Sequence, residues 1–172
     1  MKNTKKVALA GIFTALCVVF LFVGSLFQTL DLSAAAIGSI IVLIAFIELG
    51  NGWAFGVYTA SSVLSMLLLP NKTAAVVFTV FAGFYPIVKV WLNKIKPFWL
   101  SYTVRILCFN TMLTAMIFIG KKLLGLEEDY LNFGIIIYAL CNVAFIAYDF
   151  ALERISITYS VKIRSKIFGP KH

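Results

Sequence analysis

The stretch Leu32–Gly50, LSAAAIGSIIVLIAFIELG, decides the fold class of this chain. It contains a single charged residue, Glu48. A helix of about 20 predominantly apolar residues crosses the hydrocarbon core of a bilayer, because each residue adds about 1.5 Å. Strands of a membrane barrel alternate between apolar and polar residues over about 10 positions, and this run does not. The stretch therefore predicts a transmembrane helix.

Similar apolar runs lie on both sides of this stretch. Together they predict an all-α polytopic membrane protein, a six-transmembrane-helix bundle that forms one domain over residues 1–153. We expect the first span to be retained, since it is longer than the 7–15-residue apolar core of a signal peptide. Turn residues separate the spans, with Thr73 as the expected N-cap of the fourth and a hydrophilic loop at 121–129. The predicted spans are residues 6–29, 32–50, 53–69, 74–91, 98–120 and 131–153.

The composition excludes a soluble globular domain. Of the 172 residues, 62% are hydrophobic and 13% are charged, against roughly 45–50% and 25% in an average soluble domain. A soluble protein of this size could not bury so much apolar surface. Disordered chains are excluded as well, because they are poor in aromatic and aliphatic residues.

The distribution of lysine and arginine predicts the orientation. Residues 154–172 form a basic tail, and the net charge of +8 comes from residues that flank the apolar runs, as expected for contact with lipid rather than nucleic acid. With the N-terminus inside, three basic residues face outward: Lys72, Lys121 and Lys122. Ten lie on the cytoplasmic side: Lys2, Lys5, Lys6, Lys94, Lys96, Arg154, Lys162, Arg164, Lys166 and Lys171. Both termini are therefore predicted to be cytoplasmic, in a multi-pass protein of the bacterial cytoplasmic membrane.

Enzymatic motifs do not occur in the sequence. There is no Walker A loop, no GxSxG and no HExxH, and the three cysteines show no metal-ligand spacing. The single histidine is His172. We expect no enzymatic activity, no metal and no cofactor, so uphill transport would need energy from another subunit.

Four charged residues lie within the predicted spans, all in the cytoplasmic half. Two are acidic and two are basic: Glu48, Lys89, Arg105 and Asp149. An isolated charge at the bilayer centre costs at least about 2.5 kcal/mol, so we expect at least one ion pair among them. Two interpretations remain open for this charge layer. It fixes the packing of the helices, or it forms a ligand or partner site on the inner side.

Two amides and a phenol lie near the middle of the last two spans. Tyr138, Asn142, Phe145 and Asp149 recur at helical spacing and are predicted to share one face turned into the bundle. Asn110 lies at a similar depth on the fifth span. These polar groups either join helices through hydrogen bonds or form the polar wall of a ligand site, with Asn110, Tyr138 and Asn142 as the ligand-binding residues.

Two further features predict where helices bend and where they approach closely. In the stretch Gly83–Lys89, GFYPIVK, Pro86 is expected to kink the fourth span, and Tyr85 and Lys89 share a face. Ala8, Gly11 and Ala15 form a stripe of small residues on the first span, against which another helix could pack.

The chain resembles the substrate-binding S components of energy-coupling-factor (ECF) vitamin transporters. The shared features are size, six spans, cytoplasmic termini and the stripe Ala8/Gly11/Ala15, although that family typically has alanines at four-residue spacing and Ala8 departs from it. The resemblance implies a solute-binding subunit for a vitamin or another small metabolite. It also implies that the stripe docks a transmembrane coupling subunit, while a pair of ATPases supplies energy.

Two other similarities bear on function. The patterns Leu69-Pro70-x-Lys72 and Tyr85-Pro86-x-x-Lys89 are similar to those of small bacterial integral membrane proteins whose function is uncharacterised. The alternative to a transporter subunit is a non-transporting scaffold of the cell envelope, similar to rod-shape-determining membrane proteins. In such a scaffold the inner charges and the basic tail would bind partners, and the short outer loops favour this alternative.

Overall fold

The computed structural model describes residues 3–92, 98–124 and 134–163, and every regular element in these ranges is helical. A 3₁₀ turn, Gln28–Leu30, precedes the second helix, and two π-helical segments occur, Phe78–Ala82 and Tyr159–Ile163. The α-helices are α1 (Asn3–Leu26), α2 (Asp31–Leu49), α3 (Asn51–Leu68), α4 (Lys72–Val77), α5 (Tyr85–Leu92), α6 (Phe98–Leu124) and α7 (Gly134–Thr158).

Among the described residues, four helical segments are long and apolar enough to cross a membrane. They are Asn3–Leu26, Asp31–Leu49, Lys72–Leu92 and Leu100–Phe118. Many large apolar side chains point outward from the bundle, for example Leu67, which is 73% exposed, and Phe118, which is 68% exposed. Soluble monomers rarely expose so much apolar surface, whereas lipid tails solvate it. The fold therefore fits a membrane protein surrounded by lipid.

The turns between the first helices follow from local chemistry. Gly50 adopts a φ of +90° between α2 and α3, a conformation that glycine reaches without steric cost. The N-cap of α4 is Asn71, whose side chain accepts a hydrogen bond from the backbone N–H of Thr73. The prediction of Thr73 as this cap was therefore wrong. The amide of Asn71 reaches the orphan N–H groups of the first turn from one position earlier.

The lysine after this cap closes the end of α3. Lys72 Nζ donates to the carbonyl oxygen of Met66 at 2.8 Å and to that of Leu69 at 2.7 Å. The last carbonyls of a helix lack partners within the helix and carry partial negative charge, so an ammonium group stabilises them.

Helices α6 and α7 extend further than the apolar runs do. Lys121 and Lys122 belong to α6, which ends at Leu124, so the start of the predicted hydrophilic loop is helical. Helix α7 continues past the predicted end of the span at Glu153, and the π-helical segment after it ends at Ile163. The rest of the predicted loop, 125–129, the start of the predicted sixth span, 131–133, and the tail residues 164–172 lie outside the described residues.

The fourth predicted span is a helix interrupted by a π-helical segment and a turn, and we call it the broken helix. Its first part, α4, passes into the π-helical segment Phe78–Ala82, and the backbone N–H of Gly83 donates to Phe78 O five residues earlier at 2.7 Å. Helix α5 then begins at Tyr85. Pro86 lies in the first turn of α5, where its missing N–H would have no helical partner. The irregularity lies in the turns ahead of Pro86, where a proline ring crowds the carbonyl four residues earlier, that of Ala82.

Two buried clusters hold the bundle together. The first is centred on Phe78, which is fully buried between α1, α2 and α4. A β-carbon at Gly38 would lie 3.0 Å from the Phe78 ring, and one at Gly83 would lie 2.7 Å from it, so both glycines allow close contact. The second cluster contains Tyr85, Phe109, Phe145 and Leu152, from α5, α6 and α7. This second cluster positions the site described next.

Candidate functional site: a buried charge cluster beneath an apolar cavity

A buried carboxylate joins three helices. Asp149 on α7 is 4% exposed, and its two carboxylate oxygens bind different cations. Lys89 Nζ on α5 lies 2.7 Å from Oδ1, and Arg105 on α6 lies 2.9 Å from Oδ2. The ion pair expected within the charge layer is thus present twice, with Asp149 as the common partner.

The carboxylate has further hydrogen bonds. The Tyr85 hydroxyl donates to Asp149 Oδ1 at 2.5 Å, and Lys89 also donates to the Asp149 backbone carbonyl. Tyr85 and Lys89 are one helical turn apart, so the face that they were predicted to share is the face that holds Asp149. Each charged or polar group beside the carboxylate therefore offsets part of the cost of burying it away from water.

Two further acidic residues, Glu153 and Glu48, differ in how they relate to this cluster. Glu153, one turn after Asp149, is half exposed and lies 3.9 Å from Lys89 Nζ. Glu48 is half buried near the end of α2. Asp149, Lys89 and Arg105 sum to one positive charge, which Glu153 offsets from the surface. We conclude that the centre of the charge layer is an internally paired triad that joins α5, α6 and α7.

Helices α6 and α7 are aligned by a ladder of four contacts, which we call the α6–α7 ladder. At one end lies the Arg105–Asp149 ion pair, and next to it the rings of Phe109 and Phe145 stack with centroids 4.3 Å apart. The amides of Asn110 and Asn142 exchange hydrogen bonds of 3.1 and 3.0 Å. The hydroxyls of Thr114 and Tyr138 lie 3.0 Å apart. The ladder fixes the antiparallel register of the two helices.

The polar groups predicted for ligand binding are used within this ladder. Besides their mutual bonds, Asn110 donates to Ile106 O and Asn142 donates to Tyr138 O. Neither asparagine nor Tyr138 is among the described residues that line the cavity discussed below. The geometry matches the interpretation of these residues as joining helices, the first of the two that the sequence left open.

An apolar cavity of about 300 Å³ lies between α2, the broken helix, α6 and α7. One wall is formed by Ala35 and Ala36 on α2, and another by Val77, Phe81 and Ala82 around the π-helical segment. The opposite walls carry Phe109, Met112, Leu113 and Met116 of α6 and Cys141, Ala144, Phe145 and Tyr148 of α7. Leu32 and Ser33, in the first turn of α2, also line it. None of the fifteen described lining residues is charged.

Aromatic rings separate this cavity from the charge triad. Phe81 contacts Tyr148, with ring centroids 5.5 Å apart, and also Tyr85 at 5.4 Å. Tyr85 in turn contacts Phe145 edge-on at 5.2 Å. Phe81, Phe145 and Tyr148 thus face the cavity, while the hydroxyl of Tyr85 binds Asp149. The two features are adjacent layers of one aromatic cluster.

The predicted docking stripe faces out of the bundle. Ala8, Gly11 and Ala15 are all exposed, and a β-carbon at Gly11 would meet nothing within 4 Å. Gly52 and Gly56 on α3 are exposed in the same way. The stripe is therefore an exposed, smooth surface of α1.

The sequence pointed to the charged residues but not to the cavity. Phe81, Phe109 and Phe145 are ordinary core residues when considered singly, and the π-helical segment has no dependable sequence signal. The one available hint was the glycine–proline stretch after Phe81, since breaks in membrane helices often accompany binding sites.

Comparison of the chain with protein families, curated proteins and solved structures finds no match.

Proposed function

We propose that this protein is an integral membrane solute-binding subunit of a multi-subunit transporter, similar in role to an ECF S component. Its solute would be a vitamin or another small metabolite, and separate ATPase subunits would supply energy. The single observation that carries the proposal is the cavity of about 300 Å³ inside the helix bundle, because binding sites for small molecules are mostly apolar clefts of about 300–1,000 Å³.

The broken helix supports this role for the cavity. Val77, Phe81 and Ala82 line it at the point where regular α-helix gives way to the π-helical segment. Irregular backbone at membrane depth is tolerated where it is buried in protein or lines a cavity, and discontinuous helices commonly form substrate sites in transporters. A solute-binding site in the cavity would therefore account for the interruption of this helix.

The proposal includes a membrane topology of six spans with both termini in the cytoplasm. In this topology α1, α2, α3, the broken helix, α6 and α7 each cross the bacterial cytoplasmic membrane once. The cavity then lies toward the outer half, since the first turn of α2 contributes to it, and the charge triad lies toward the inner half. A solute would meet the cavity before the triad.

The exposed stripe Ala8/Gly11/Ala15 would dock the coupling subunit. Close helix approach over small residues is a main source of attraction between helices in lipid. Gly11→Trp or Ala15→Trp should therefore abolish co-purification with a coexpressed coupling module while the mutant bundle still inserts. Leu16→Trp is the matched control, because Leu16 is 43% exposed on another side of α1.

The decisive test of solute binding is mass spectrometry of small molecules that co-purify with the wild-type protein. A specific compound, lost from a variant in which Ala144→Phe fills the cavity, would support the proposal. Absence of any such compound, together with failure to capture a coupling module, would refute it. The scaffold alternative would then be the better explanation.

A further inference from the structure

The charges nearest to the cavity are already engaged with one another. Asp149 is bound by Lys89, Arg105 and Tyr85, and the aromatic layer of Phe81 and Phe145 lies between this triad and the open space. An ionised ligand would lose its water and find no counter-ion among the described lining residues. Burying an ion without a partner is strongly unfavourable, so the lining excludes charged solutes.

The lining is better suited to an aromatic ligand than to an aliphatic one. Four rings contribute to it, from the π-helical segment, α6 and α7: Phe81, Phe109, Phe145 and Tyr148. Phe81 meets Phe109 edge-on with centroids 5.2 Å apart, so rings in this wall present both edges and faces. Ring edges attract ring faces, and the thioethers of Met112 and Met116 also make favourable contacts with rings.

We infer that the cavity binds an uncharged aromatic molecule of one or two rings. The inference rests on the proposed solute-binding function and adds the chemical class of the solute. One residue in the lining, Ser33, carries a hydroxyl that suits a ligand with a single polar substituent. The volume of about 300 Å³ is at the small end of ligand sites, which matches one or two rings rather than a larger cofactor.

The test uses three probes that differ in one property each. The first, 2-naphthol, is uncharged and aromatic. Decahydro-2-naphthol has the same carbon skeleton but no aromatic ring, and 2-naphthoate has the same rings and a carboxylate. The readout is alkylation of Cys141, which lines the cavity, by N-ethylmaleimide in purified protein, followed by mass spectrometry. Cys108, half buried on α6 and outside the described lining, is the internal control.

We expect 2-naphthol to slow alkylation of Cys141 several-fold without changing that of Cys108, and the other two probes to have little effect. Equal protection by decahydro-2-naphthol or by 2-naphthoate overturns the ligand class and leaves solute binding intact. If Cys141 is already protected before any probe is added, and this protection disappears when phospholipid is removed, the occupant is an acyl chain. That result also overturns the inferred ligand class. Failure of 2-naphthol to protect Cys141 overturns it as well.

A binding measurement removes the dependence on cysteine reactivity. The affinity for 2-naphthol, followed by its own fluorescence, should fall about fivefold in Phe81→Leu, since one ring contact is lost while apolar volume is largely kept. Phe55→Leu on α3, where Phe55 is 48% exposed and outside the described lining, should not change it. Equal affinities in wild type and Phe81→Leu would contradict the inference.

Discussion

Removing the charge of Asp149 tests whether the triad holds the bundle together. Asp149→Asn keeps the shape of the side chain and deletes its charge. Lys89 and Arg105, which are 5% and 8% exposed, would then remain buried without their shared counter-ion. Breaking a buried ion pair from one side costs about 3–5 kcal/mol, and we expect a loss of unfolding free energy in this range.

Two comparisons turn this prediction into a measurement of the triad. Lys89→Met should cost less than Asp149→Asn, because Asp149 keeps Arg105 at 2.9 Å and the Tyr85 hydroxyl. The double variant should be more stable than the sum of the single effects predicts, by about 0.5–3 kcal/mol, since the two residues contact each other directly. Exchanging Lys89 and Asp149 for each other should recover little of the lost unfolding free energy, because Arg105 would then face a lysine.

The assay is reversible unfolding in mixed micelles, with Glu153→Gln as the control. Glu153 is half exposed and 3.9 Å from Lys89, so its loss should cost no more than about 1 kcal/mol. If Asp149→Asn costs as little as Glu153→Gln, the triad does not stabilise the bundle and the reasoning from its burial is refuted.

Three further predictions concern packing, pairing and topology. Gly83→Ala should destabilise the bundle by about 1–3 kcal/mol, because its β-carbon would lie 2.7 Å from Phe78 and Tyr58. Gly56→Ala should not destabilise the bundle, because its β-carbon would lie in open space. Equal melting temperatures for Gly83→Ala and Gly56→Ala would contradict this prediction. Asn110→Ala should cost about 0.6–2 kcal/mol, and adding Asn142→Ala should cost little more because the amides bind each other; additive losses would show independent roles. A phosphatase reporter fused after His172 should be inactive, since we predict a cytoplasmic C-terminus, and an active fusion would reverse the topology.

The elements that could be predicted from the sequence have local causes. Apolar runs of membrane-crossing length predict helices regardless of tertiary context, and Gly50 marks a turn because few other residues reach its φ. Intramembrane charge is costly, so pairing among Lys89, Arg105 and Asp149 is expected from their depth and opposite signs alone. The common face of Tyr85 and Lys89 follows from helical spacing.

The features that the sequence did not reveal depend on several helices at once. The cavity exists because Phe81, Phe109 and Phe145 leave space between helices that are distant in the chain. The choice of Asp149 as the common partner of both cations depends on how α5, α6 and α7 cross. The N-cap at Asn71 was missed because asparagine and threonine are both good caps, and the backbone geometry decides between neighbouring positions.

The α6–α7 ladder restricts how this molecule can move. Its four contacts lie at successive levels along the two helices and differ in chemistry, from ion pair to ring stack to amide and hydroxyl pairs. A slide of α7 along α6 by one helical turn, about 5.4 Å, would unstack Phe109 from Phe145 and separate the paired amides of Asn110 and Asn142. The ladder therefore favours movement of the two helices as one unit. A motion that opens the cavity would then involve α2 and the broken helix, which would bend at its π-helical segment.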